Sequence, residues 1–139
     1  MPNQDNKPCP ICKLDGQNIR VWDAGERLSL KCPRCGEFTI TRSAASIAER
    51  KAIVPKLSAW IRDRTESVTD IPEINSNTLK DIESLVPTYK VSEKLLLLLR
   101  AFERRTRFPG ESLNIKPRLD YPLAWANGEK EFQYLLCSL

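Results

Sequence analysis

The chain has 139 residues, with 22 basic and 18 acidic side chains, a net charge of +4, and no histidine. At 41% hydrophobic and 29% charged residues it falls among globular chains, and no apolar run approaches the roughly 20 residues of a membrane span. Without histidine it cannot build a Ser-His or Cys-His nucleophile pair, a His general base or a His metal ligand.

Residues 1–7 lack the charged-then-apolar order of a signal peptide. That predicts a cytoplasmic protein with reduced cysteines. Two knuckles follow, Cys9-Pro10-Ile11-Cys12 and Cys32-Pro33-Arg34-Cys35. Four thiolates in two C-x2-C pairs can close a tetrahedron around one Zn²⁺, and the loop 13–31 is long enough for a hairpin that joins the pairs. Cys9, Cys12, Cys32 and Cys35 are therefore the expected ligands of one structural zinc. A rubredoxin-like iron site, disulfides and free thiols are the alternatives. Gly36 supplies a residue tolerant of positive φ after the second knuckle.

Alternating polar and apolar residues predict strands at 18–22, 27–31 and 37–41, with a turn at Asp23-Ala24-Gly25-Glu26. Three short strands with two knuckles make a zinc ribbon over residues 1–42, too small to hold itself by apolar burial alone. Ser43 is the expected N-cap of a helix through Arg50. Pro55 predicts a break near Val54 and a new helix carrying Leu57, Trp60 and Ile61 on one face. Asp70-Ile71-Pro72-Glu73 reads as a connector. Ser76 or Asn77 caps a short helix with Leu79, Ile82 and Leu85 or Val86 inward, which Pro87 stops.

Residues 43–90 thus form a helical connector, and 91–139 a third unit. There Ser92 is the expected cap of a helix from Glu93 to about Thr106. Its run Leu95 to Leu99 predicts burial on several sides. Ser112–Lys116 is a strand candidate, and Tyr121–Ala126 one or two helical turns. Asn127 caps a last helix with Phe132, Leu135, Leu136 and Leu139 on its apolar face. This order matches the front half of a winged-helix unit. The last helix reaches Leu139 with no stop signal, which reads as a unit incomplete at that residue. The fold class is α+β: a small four-cysteine ribbon packed on a mainly helical part.

Arg20 and Arg34 on the ribbon, and Arg100, Arg104 and Arg107 near the end of the leucine-rich helix, are candidate nucleic-acid contacts. Interspersed acids argue for ordinary solvated strand faces, and cations at a helix C-terminus are stabilised by its dipole whatever the function. Trp60 and Trp125 read as core. Cys137 reads as a buried or half-buried free thiol. Phosphate-binding and nucleophile-elbow signatures are missing, so the chain reads as a non-enzyme.

Residues 9–41 resemble the broad zinc-ribbon class. Together with Leu57-Ser58-Ala59-Trp60-Ile61-Arg62, Ser92-Glu93-Lys94 and Asp120-Tyr121-Pro122-Leu123-Ala124, they are similar to N-terminal regions of uncharacterised bacterial multidomain proteins, some with a C-terminal effector domain in settings linked to phage defence. The resemblance implies a protein partner or effector domain and brings no catalytic residue. Two functions follow: a regulatory recognition module that binds nucleic acid, or an adaptor that docks on an effector domain or partner chain.

Overall fold

A computed structural model describes residues 7–15, 18–51, 55–67 and 70–139. The N-terminal half is built on a sheet of order β1-β2-β3-β4: β1 (Ile19–Asp23), β2 (Arg27–Cys32), β3 (Gly36–Thr41) and β4 (Glu73–Ile74). The first three strands are antiparallel, with Leu28 opposite Ile40 and Leu30 opposite Phe38. All four of these side chains are buried. β4 was expected as a connector. Two residues are too few to show a period, yet Ile74 pairs parallel with Ile40 and closes the sheet's far edge.

The strong inward pair Leu28 and Leu30 sets the register of the whole ribbon, because strand side chains alternate with period 2. In that register Arg20 lies opposite Leu30 and Trp22 opposite Leu28. Arg20 is thereby turned inward and fully buried, while Ile19 is half exposed.

Three helices cover the inner face of this sheet: α1 (Arg42–Arg50), α2 (Pro55–Glu66) and α3 (Ser76–Leu85). Pro55 opens α2 as expected. The break near Val54 falls outside the described residues. Thr41, rather than Ser43, caps α1, its hydroxyl accepting the Ala44 N–H at 3.3 Å. Asn75, rather than Ser76 or Asn77, caps α3, accepting the Thr78 N–H at 2.8 Å. Leu79 and Ile82 of α3 face inward, while Leu85 is exposed. The cysteines, Leu28, Leu30, Phe38, Ile40, Ala44, Ala45, Leu57, Ile61 and Leu79 form one continuous core. Ribbon and helices α1–α3 thus stand or fall together.

A second core gathers Leu98, Tyr121, Ala124, Ala126, Phe132 and Leu135. It is built from α4 (Val91–Arg105), a 3₁₀ turn over Tyr121–Ala124 and α6 (Glu129–Cys137), while α5 (Pro117–Asp120) leads into that turn and lays Leu119 on the first core. Helix α4 starts one residue before Ser92. Lys90 is its N-cap, and the Glu93 carboxylate accepts the Lys90 backbone N–H at 3.0 Å. Gly128, not Asn127, is the residue before α6. The Asn127 N–H instead reaches the Glu131 carboxylate at 3.0 Å, and Lys94 of α4 meets the same carboxylate at 2.5 Å.

Several expectations are corrected. Residues 112–116 form no strand, because no strand lies beside them to accept their backbone bonds, and the winged-helix likeness loses its strand. The leucine run of α4 is not buried all round: Leu98 is inside, but Leu96 and Leu99 are 49% and 50% exposed. Cys137 is exposed rather than buried. Trp60 and Trp125 are only partly buried. Arg64 stacks over the Trp60 ring at 4.3 Å, and Trp125 packs edge-on against Tyr89 at 5.1 Å. Among the described residues no helix is long and apolar enough to cross a membrane.

Candidate metal centre

The two knuckles come together at the base of the ribbon. Cys9, Cys12, Cys32 and Cys35 are all buried, and their sulfurs lie within 4.8 Å of one another. Cys9 Sγ is 3.8 Å from Cys35 Sγ, and Cys12 Sγ is 3.5 Å from Cys32 Sγ. A tetrahedral ion with metal–sulfur bonds of about 2.3 Å puts its sulfurs about 3.8 Å apart. The cluster fits such an ion. Sulfurs joined in a disulfide would sit at about 2.0 Å, so the four thiols are free.

Each knuckle is shaped by its own turn. In the first, the Lys13 N–H returns to the Cys9 carbonyl at 2.8 Å, and the Cys9 N–H bonds the Leu14 carbonyl at 3.0 Å. In the second, the Cys35 N–H points at Cys32 Sγ at 3.4 Å. The residue after each knuckle takes a positive φ: 63° at Lys13 and 108° at Gly36. Only the glycine was legible as such. The Lys13 ammonium donates to the Pro10 carbonyl at 2.7 Å and to the Ala48 carbonyl of α1 at 2.6 Å, which ties the first knuckle to that helix. The second contact places a cation in the last turn of α1, where the helix dipole favours it.

Burial and mutual contact pull the four thiols in opposite directions. Burial pushes the Cys35 thiol well above its ordinary value. Hydrogen bonding with Cys12 raises Cys9 and pulls Cys32 down. Four sulfurs in one buried volume cannot all ionise beside each other without a cation. Ligation requires thiolates, so a bound metal is lost as acid protonates them.

The second knuckle is held from outside by one face of α2, which sequence reasoning missed. Ser58, Arg62 and Thr65 stand at i, i+4 and i+7, a single helical stripe. The Ser58 hydroxyl lies 3.1 Å from Cys35 Sγ. Arg62 Nη1 donates to the carbonyls of Pro33 at 3.3 Å and Arg34 at 2.9 Å. The Thr65 hydroxyl accepts the Glu37 N–H at 3.1 Å. Gly36 fits beneath it because a Cβ there would sit 2.2 Å from Thr65 Oγ1. The sequence marks only Leu57, Trp60 and Ile61 as one face of this helix. Those spacings are helical, but they do not disclose that the polar residues between them also point inward.

Arg62 also ties the two halves of the chain. Nη2 pairs with Asp120 at 2.7 Å, Nη1 reaches the Leu119 carbonyl at 3.2 Å, and Nε meets Glu66 at 3.2 Å. Arg105 from α4 donates to the same Glu66 oxygen at 2.6 Å. Asp120 in turn accepts the Lys116 N–H at 2.8 Å. Arg62 and Asp120 are both buried, so their charges are compensated within the fold.

The five arginines expected to meet nucleic acid are dispersed. Arg20 is buried inside the ribbon, where Nη1 donates to the Pro8 carbonyl at 2.6 Å. Arg34 spends its guanidinium internally: on the Arg118 carbonyl at 2.9 Å, on the Cys12 carbonyl at 3.2 Å and over the Tyr121 ring at 5.0 Å. Arg104 leans on Asp63 at 3.8 Å, and Arg107 pairs with Glu111 at 3.0 Å. Arg100 is exposed on α4. The structure does not bring these five into one surface. No known protein family, curated protein or solved structure matches the chain, so its function is read from this geometry.

Proposed function

We propose that the chain is a non-catalytic adaptor, locked by one structural zinc, that docks an acidic amphipathic segment of a partner protein or effector domain on helix α4. Zinc suits a closed four-thiolate site with no open coordination position. The observation that carries the docking reading is the face of α4. Val91, Leu96 and Leu99 are each about half exposed. Leu96 and Leu99 stand at i and i+3, with Val91 two turns before Leu99, an apolar face that the other described residues leave uncovered, while Leu95 between them packs partly against the second core. Arg100, Arg104 and Arg107 flank its C-terminal end, so a partner helix with an apolar face and an acidic end is complementary in both shape and charge.

Nucleic-acid binding is the second reading, supported by the net charge of +4 and by exposed Arg100 and Arg107. One experiment separates the two. A photoreactive side chain is placed at Leu96 or Leu99 and irradiated in cell extract, with the same group at exposed Lys130 as control. Adducts to protein segments rich in Asp and Glu, formed from α4 but not from Lys130 and abolished by Leu99→Asp with Arg100→Glu, are the expected result. Adducts to nucleic acid, or none specific to α4, contradict the adaptor reading.

A further inference from the structure

The hydroxyl of Ser58 is buried against the sulfur of Cys35. Ser58 sits on α2, and Cys35 on the turn between β2 and β3, so this contact is made across the fold rather than within the knuckle. A thiolate bound to a metal carries no proton. The hydrogen of the Ser58–Cys35 contact must therefore come from serine, and the 3.1 Å separation is a good distance for an O–H donating to sulfur.

We infer that Ser58 is a positioning residue for the metal: its hydroxyl donates to the Cys35 thiolate, lowers the electron density on that sulfur and holds it in the bound rotamer. This rests on the metal reading above. Outer groups of this kind orient ligands and tune the ion, and their loss costs about 10- to 100-fold in metal affinity. The neighbouring contacts on the same stripe, Arg62 to the knuckle carbonyls and Thr65 to the Glu37 N–H, hold backbone. Ser58 is the member of the stripe that touches a ligand atom.

Two readouts on Ser58→Ala test it, with Thr65→Val as the control that removes a hydroxyl from the same stripe without touching sulfur. The first is the rate at which a chromogenic chelator takes zinc from the purified protein. The second is the sulfur-to-metal charge-transfer band after loading with Co²⁺. A thiolate that loses a hydrogen bond becomes a better electron donor, so its band moves to lower energy. Ser58→Ala is expected to release zinc about 10-fold faster and to shift the band to lower energy, with the band of Thr65→Val unmoved. A wild-type rate and band in Ser58→Ala overturn the inference, as does an equal band shift in both variants. If the unsubstituted protein gives no four-sulfur Co²⁺ spectrum, the metal reading itself fails and takes this inference with it. A normal wild-type spectrum with an unresponsive Ser58→Ala sinks the inference alone.

Discussion

Cys32→Ser is expected to unfold residues 7–86 and not merely to empty the metal site. A structural zinc contributes roughly 10 kcal/mol or more to a small domain. That is comparable to the whole stability of an ordinary domain, about 5–15 kcal/mol. In this chain the cysteines belong to the same core as Leu28, Phe38, Ile40, Ala44, Leu57 and Ile61, so the loss cannot stay within the ribbon. Cys32 is also the sulfur that receives the Cys35 N–H, and the change to Ser removes both the ligand and that contact. Amide hydrogen exchange reads the outcome by region. Protection should fall in β1–β3 and in α1–α3 together. Retained protection in α2 and α3, with only the strands exposed, would show that the ribbon is an appendage and that the common core carries little energy.

The second large effect is expected at Arg62. Arg62→Ala leaves Asp120 buried without its guanidinium partner and deprives the Pro33, Arg34 and Leu119 carbonyls of a donor. Breaking a buried pair by removing one partner costs about 3–5 kcal/mol, because the remaining charge stays desolvated. The double variant Arg62→Met with Asp120→Asn replaces the pair rather than breaking it and should recover part of that loss. Urea unfolding measures both. A cost under about 1 kcal/mol for Arg62→Ala, the value of an exposed ion pair, would mean that water reaches Asp120 and that Arg62 does not hold the 117–124 segment on the knuckle.

The sequence made the metal centre legible because tetrahedral closure needs a local spacing, and Cys9, Cys12, Cys32 and Cys35 display it without reference to anything else. The three antiparallel strands and the start of α2 at Pro55 were legible for a similar reason: alternation and proline sterics act over a few residues. What failed was decided at longer range. Arg20 sits inward because Leu28 and Leu30 on the next strand dictate the register, and β1 alone has no means to show that. Ser58 and Arg62 carry no signal of their own in the sequence, because their inward placement is decided by the second knuckle packed against α2. Leu96 and Leu99 looked like core because an apolar run implies an inside face on every side. The fold offers α4 cover on only part of its circumference. The strand expected at 112–116 had alternation but no neighbour to pair with. Caps missed by one or two residues, Thr41 for Ser43 and Asn75 for Ser76, left each helix close to its expected place, since several polar residues competed for each cap.

X-ray absorption on the purified chain tests the metal assignment most directly, since the absorption edge names the element and the fine structure gives its ligands. One zinc per chain with four sulfur neighbours at about 2.3 Å is the predicted result. Iron at that site, a nitrogen or oxygen neighbour in place of a sulfur, or a folded chain that holds no metal would contradict it.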